Sequence, residues 1–334
     1  MRALGLLVLC FLQCSCASQE ALKKINGVSF VASRDKATHE QVKDVLLVNA
    51  NHAAVMPFGF IRNINSPEII HNTDRQWFGE TKAGAKQYIE VLHKNGVQVM
   101  VKPQIWIWKG EFTGTLLMNS EEHWKALEAS YDDFILTYAK LAEETQVALF
   151  CIGTELERFV EHRPEYWKRL ILKIRKVYKG KLTYAANWNE YTKTSFWEDL
   201  DYIGIDAYFP LSEEKNPTVG QLKEAWQPWK DNIFKLSTTV KRPVLFTEFG
   251  YRSIDYTARK PWLADCHEQK VNLGAQVNAK KAIFSEFWTE DWFAGGYVWK
   301  WFVDHAKSGG NANNQFTPQN KPAQQVITDF YKMY

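Results

Sequence analysis

Residues 242–251 read RPVLFTEFGY. Val244, Leu245 and Phe246 form an apolar run of the kind found in strands buried on both faces. The run then closes on Thr247-Glu248-Phe249 and stops at Gly250, a residue that weakens a strand interior. A glutamate is almost never fully buried without a partner. A buried strand that ends on Glu248 therefore either closes a structural ion pair or delivers a carboxylate for chemistry. What the neighbouring strands carry at the same end decides between the two.

Outward from this stretch the same unit recurs. Apolar or β-branched runs at 27–32, 52–58, 97–103, 147–153, 181–187, 201–207, 243–249 and 295–301 read as eight strands. Segments with helical periodicity lie between them at 38–50, 80–95, 120–145, 164–179, 218–239 and 267–290. A short helix is expected near 192–199, a polar insertion at about 61–78, and a closing helix over PAQQVITDFYKMY. Gly96 and Gly180 stand just past two of the helices, where a helix end favours a left-handed residue. Eight strands alternating with helices, with no Pro/Gly/Ser linker, predict an α/β fold, one (β/α)8 TIM barrel over residues 19–334. The alternative is a doubly wound open sheet. It is disfavoured because the first strand runs into VSFVASRDK and not into a glycine-rich phosphate loop.

Composition narrows the function. The 334 residues are 46% hydrophobic and 24% charged with a net charge of +3, which is ordinary for a globular protein. No basic run or stripe marks a nucleic-acid surface. The aromatic share is 14%, with 14 Trp; some of these belong to the core, and an enzyme that binds the flat faces of sugars would also be rich in them. At the N-terminus, MRALGLLVLCFLQCSCAS carries one Arg, an apolar stretch and then small residues, the pattern of an export signal over residues 1–18. Two outcomes are open there: cleavage near Ala17 or Ser18, or a lipid anchor at Cys14 or Cys16. The expected location is accordingly secreted, periplasmic or lipid-anchored at the cell envelope. Cys151 and Cys266 remain outside the leader. They allow a disulfide but have no zinc-site spacing.

In such a barrel the chemistry gathers where strands end, at the C-terminal face. The third strand ends with Lys102, Gln104, Trp106 and Trp108, and the fourth with Glu155 and Glu157. The fifth ends with Asn187, Trp188, Asn189 and Glu190, the sixth with Asp206 and Tyr208. The seventh supplies Glu248 and Tyr251, the eighth Trp299 and Trp301. Carboxylates, amides and aromatics thus share one rim, the make-up of a carbohydrate cleft.

Glycoside hydrolysis needs two carboxyl groups flanking the scissile bond. Strands 4 and 7 face each other across the barrel, and carboxyls there can approach the ~5–5.5 Å of retaining enzymes. Glu248 is the expected nucleophile and Glu155 the acid/base, since a charged Glu248 holds the proton on its neighbour. The competing reading, an ion pair with Arg or Lys, weighs on each glutamate singly and much less on the two together. Glu157 is expected to start the next loop in an ion pair, and Glu190 to sit solvated in a loop. Asp206 either bonds substrate or holds a rim lysine, and Lys102 is a hydroxyl donor or the partner of a catalytic glutamate. Substrate binding is assigned to Lys102, Trp106, Asn187, Trp188, Asp206, Tyr208, Tyr251 and Trp299, although each aromatic can equally be packing. No zincin, EF-hand, nucleophile-elbow or P-loop motif occurs, the eight His lack metal spacing, and neither metal nor cofactor is required.

The stretches VMVKPQIW, CIGTELER, YAANW, DYIGIDAYFPL, LFTEFGYRS and KPAQQVITDFY resemble glycoside hydrolase family 113, retaining β-mannanases with their glutamates on strands 4 and 7. GTELE at Glu155 and FTEFGYRS at Glu248 are the specific matches. The resemblance implies a hydrolase that cleaves β-1,4-mannosidic bonds by double displacement; a monomer is the separate expectation for its assembly. One position departs from the wider clan: Thr154 stands where most members place an Asn that bonds the sugar 2-hydroxyl. Asn187 or Lys102 would take over that contact. Two other readings remain open. One is a retaining β-glycosidase for another β-glycan; the other is a catalytically silent sugar-binding lipoprotein, for which an opposed glutamate pair has no use.

Overall fold

The computed structural model describes residues 23–263 and 270–334. The leader, with Cys10, Cys14 and Cys16, and also Cys266, lie outside the described residues. Eight strands close a barrel: β1 (Ile25–Phe30), β2 (His52–Val55), β3 (Gln98–Val101), β4 (Leu149–Thr154), β5 (Lys181–Asn187), β6 (Ile203–Asp206), β7 (Val244–Phe249) and β8 (Phe293–Trp301). All pair in parallel with their chain neighbours, and β8 returns to β1 with Gly295 opposite Ile25. That closure is the (β/α)8 barrel the alternation predicts and excludes the open sheet.

The helices are α1 (His39–Leu46), α2 (Lys82–Lys94), α3 (Glu121–Glu144), α4 (Glu157–His162), α5 (Pro164–Val177), α6 (Val219–Val240), α7 (Leu273–Phe287) and α8 (Pro322–Met333). Their starts are written in capping chemistry. Thr38 and Thr218 form capping boxes with Gln41 and Gln221, Ser120 and Asn272 accept from the third helical amide, and Pro stands in the first turn of α5 and α8. The expected helix at 192–199 is only a 3₁₀ turn, Trp197–Asp199. The sequence-predicted helix 267–290 is helical over Leu273–Phe287, and residues 267–269 lie outside the described part. Unforeseen is a two-stranded parallel ribbon, Phe58–Ile61 with Gln104–Ile107, standing beyond β2 and β3.

Two apolar layers hold the barrel. Inside, Ile25, Ala54, Met100, Leu149, Cys151, Ala185, Leu245 and Tyr297 form one buried cluster contributed by the strands themselves. Outside, the helices pack a second, aromatic-rich layer. Here many of the Trp are spent: Trp167, Trp226, Trp288 and Trp301 are fully buried. Cys151 carries a free, buried thiol. No helix among the described residues is long and apolar enough to cross a membrane.

Of the two glycines read as helix ends, Gly96 has a φ of 77° and ends α2 as expected. Gly180 is not left-handed. A Cβ there would stand 2.1 Å from the Tyr178 hydroxyl, so this glycine makes room for a ring. Gly250 answers part of the opening question. A Cβ on it would lie 2.6 Å from the Trp299 carbonyl oxygen and 3.2 Å from the Trp299 Cβ. Only a glycine lets the ends of β7 and β8 approach this closely. Gly250→Ala should cost about 1–3 kcal/mol of stability by overpacking. Urea unfolding checks this, and unchanged stability would contradict the close approach.

Candidate active site

Three adjacent strands set residues at their C-terminal ends at one level. Asn187 on β5 pairs in register with Asp206 on β6, and Asp206 with Glu248 on β7. Strand pleating turns alternate residues to the same side, so the register gathers these polar groups at the barrel's C-terminal mouth.

Glu248 is nearly enclosed, with 6% of its surface exposed. Its Oε1 accepts from the Lys102 ammonium at 2.5 Å and from Gln104 Nε2 at 2.9 Å, and its Oε2 accepts from the Tyr208 hydroxyl at 2.8 Å. Lys102 also donates to both oxygens of Asp206, at 3.1 and 3.0 Å, and Thr247 Oγ1 donates to Asp206 at 2.7 Å. Burial alone would lower the Lys102 pKa, but Asp206 and Glu248 outweigh it and hold the ammonium above its ordinary value. At Asp206, burial and the Glu248 charge push the carboxyl up while Lys102 opposes them.

Glu155 follows β4 and is built differently. Its backbone is left-handed, with φ at 49°. Such a conformation costs a non-glycine residue about 1–3 kcal/mol and persists only where the surroundings enforce it. Two bonds fix it here: the Glu155 amide donates to the Ala185 carbonyl at 2.8 Å, and the Leu156 amide to the Tyr184 hydroxyl at 2.7 Å. The turn leaves the Glu155 side chain partly open to the mouth, and its carboxyl has no hydrogen-bond or ion-pair partner among the described residues. Burial, then the charges of Asp206 and Glu248, raise its pKa well above the usual carboxylate range; Lys102 opposes them and Glu190 adds to them. Lys102 divides one positive charge between Asp206 and Glu248, so a third ionised carboxyl beside them is disfavoured. The two glutamates thus stand in contrasting settings. One accepts three donors, and the other has none and is pressed to keep its proton.

The other candidates divide. Lys102 and Asp206 are fully buried, so they position Glu248 and do not reach a sugar. Lys102 is the partner of a glutamate and not a free hydroxyl donor. Tyr208 is buried with its hydroxyl committed to Glu248. Tyr251 must be corrected. It is fully buried under α7, whose Gln276 bonds its carbonyl, and offers no surface to a substrate. Asn187 remains suited to a sugar hydroxyl: its Oδ1 accepts from the Trp188 amide, while its amide NH₂ makes no bond within the protein among the described residues. Trp299 is half-buried at the end of β8. Trp188 is stacked on Trp262 with ring centroids 5.1 Å apart, so one of its faces is covered. Trp106 is 51% exposed on the ribbon, and the loop that follows exposes Trp108 and Phe112 before Thr113 bonds the Glu155 carbonyl.

Three features escaped the sequence reading, and a fourth, Glu157, was read in part. Gln104 sits two residues past Lys102, the strand spacing that marked it, yet was not assigned to the site. Lys300 lies half-buried over the Trp299 and Phe302 rings, close enough for the Glu248 charge to act on it. Glu157 opens α4 and pairs with Lys193 at 2.5 Å, an ion pair as expected, though from a helix. Glu190 is the clearest correction. It is not solvated but 1% exposed, bonded to the Tyr184 hydroxyl at 2.6 Å and the Asn187 amide at 3.1 Å. Among the described residues no cluster of His, Cys, Asp and Glu is arranged to hold a metal ion.

Comparison with known proteins bears on this site. The model of Glycoside Hydrolase Family 113 matches residues 30–321. A family 113 β-mannanase from Alicyclobacillus acidocaldarius superposes with a TM-score of 0.82 at 22% identity, over 93% of this chain and 98% of that one. A second family 113 β-1,4-mannanase, solved as a complex, gives 0.81 at 22% identity, over 93% and 100%. A β-glucuronidase from Faecalibacterium prausnitzii gives 0.61 at 15% identity, over 93% of this chain and 49% of that one. At these identities the structural matches establish the fold. No curated protein matches significantly in sequence.

Proposed function

The chain belongs to glycoside hydrolase family 113, and on that premise we propose that it cleaves β-1,4-mannosidic bonds in mannan-type polysaccharides or oligosaccharides with retention of configuration. One observation carries the reading: two carboxyls at one barrel mouth, Glu248 fixed by three donors and Glu155 with no partner among the described residues. In the first step Glu248 attacks the anomeric carbon and forms a glycosyl ester. The bond to the leaving oxygen breaks as Glu155 gives that oxygen its proton. The ester has no charge, so one of the charges that raise the Glu155 pKa is gone and its carboxylate can serve as base. It takes a proton from water as that water attacks the anomeric carbon. The ester bond breaks, Glu248 leaves as carboxylate, and Glu155 has regained its proton.

Lys102, Asp206, Gln104 and Tyr208 hold Glu248 in place through this cycle. The free amide of Asn187 bonds the sugar 2-hydroxyl in place of the Asn that Thr154 replaces, and the exposed ring of Trp106 stacks on sugar faces. Hydrolysis of a panel of mannan, glucomannan, cellulose derivatives and xylan tests the substrate. Release of β-1,4-mannooligosaccharides is the expected outcome; activity confined to another glycan would overturn it. Export is part of the proposal, and mass spectrometry of the mature N-terminus separates cleavage near Ala17 from acylation at Cys14 or Cys16.

The acid role has a pH signature. Catalysis needs Glu155 protonated, and its raised pKa keeps the proton to higher pH. The alkaline limb of kcat/KM on mannooligosaccharides should therefore lie well above the ordinary carboxylate range of about 4–5. A limb inside that range would contradict the assignment.

A further inference from the structure

We propose that the buried pair Tyr184 and Glu190 is a positioning relay for Glu155, setting both the turn that presents its carboxyl and the charge beside it. The inference rests on the acid/base reading of Glu155 above. The chain of bonds is continuous. The Leu156 amide donates to the Tyr184 hydroxyl at 2.7 Å, and that hydroxyl donates to Glu190 Oε1 at 2.6 Å. Glu190 Oε2 in turn accepts from the Asn187 amide at 3.1 Å. The relay therefore ties the residue after Glu155 to the residue that ends β5, and both flank the site. Tyr184 is fully buried and Glu190 almost so, so neither touches substrate.

Nothing in packing alone calls for a carboxylate here. A buried tyrosine hydroxyl needs one acceptor, and a backbone carbonyl would serve it at less cost than a buried acid. What the acid adds is a second acceptor oxygen for Asn187 and a negative charge near Glu155. Glu190 is faced by Tyr184 on β5, Glu157 on α4 and Asp206 on β6, and burial pushes its own carboxyl up to about 7. Its charge therefore develops with rising pH, as Glu155 comes under pressure to lose its proton. Glu155 is faced by Asp206, Glu248, Lys102 and Glu190, and the Glu190 charge acts to retain that proton.

The test compares Tyr184→Phe, Glu190→Gln and Glu155→Ala with the wild type on two substrates. One is mannan, whose leaving group needs a proton. The other is a 2,4-dinitrophenyl β-mannobioside, whose leaving group does not. In folded Tyr184→Phe, kcat/KM for mannan should fall roughly 100-fold, the cost of a misplaced catalytic group. For the aryl glycoside it should stay within about threefold, because no acid is required. Glu155→Ala should show the same split, more strongly. Glu190→Gln should move the alkaline limb of kcat/KM to lower pH, because a charge that raises the Glu155 pKa is removed. Equal losses on both substrates in Tyr184→Phe, or no loss, would reduce the pair to packing and overturn the relay. An unmoved limb in Glu190→Gln would do the same. Should Tyr184→Phe fail to fold, Glu190→Gln carries the test, since it leaves the tyrosine an acceptor. A Glu155→Ala enzyme without the split would remove the acid/base assignment itself, and the relay with it.

Discussion

Glu248→Gln should lose mannan hydrolysis by at least about 10⁴-fold while remaining folded, because the variant lacks the carboxylate proposed to form the covalent bond. The amide keeps the volume and one acceptor oxygen, so Tyr208 or Gln104 still finds a partner. Lys102 then has Asp206 as its remaining carboxylate, at 3.0 and 3.1 Å, which is enough to keep the ammonium paired. The expected picture is a near-normal unfolding transition together with lost turnover. Activity within tenfold of the wild type would remove Glu248 from the reaction.

Lys102→Met should have the largest effect on stability. The ammonium is fully buried and bonds both Asp206 and Glu248. Its removal leaves two carboxylates facing each other without the ammonium that bonds both. Breaking a buried ion pair from one side costs about 3–5 kcal/mol. The sign of the pH dependence follows. With the cation gone, the folded-state pKa of the pair lies above its unfolded value, so the folded state binds more protons. The deficit is then greatest at neutral pH and shrinks as pH falls toward the carboxylate range. Urea unfolding at pH 7 and pH 5 measures this. Lys102→Met with Asp206→Asn should recover part of the loss, since the second change removes one uncompensated charge. A deficit equal at both pH values would assign it to packing and not to charge.

Much of this architecture was legible because buried parallel strands announce themselves as short apolar runs, and each of the eight expected runs overlaps a barrel strand. The polar strand ends were legible for the same reason. A lysine or aspartate on an apolar strand stands out, which marks Lys102 and Asp206; the period of two that adds Gln104 to the same face went unused. What failed lay where that period stops. Tyr251 comes after Gly250, where the chain has left the strand, and it turns under α7 into the core. Glu190 sits in a polar stretch that reads as solvated, but a turn from Asn187 to Glu190 folds its side chain back beneath β5. No periodicity signals such a turn. The left-handed backbone at Glu155 was equally invisible, since glutamate has no preference for it and the bonds that hold it come from Ala185 and Tyr184 on β5. The burial that makes Lys102 and Asp206 positioning groups depends on neighbours gathered from three strands, and no single stretch records it.

The measurement that tests the account most directly is mass spectrometry of the enzyme trapped with an activated 2-deoxy-2-fluoro β-mannoside. Such a substrate forms the glycosyl ester and releases it slowly. The expected result is a single added fluoromannosyl group, mapped to the peptide that contains Glu248 and absent from Glu248→Gln. Turnover of mannan without any adduct, with inverted product, or with the label on another residue would contradict it.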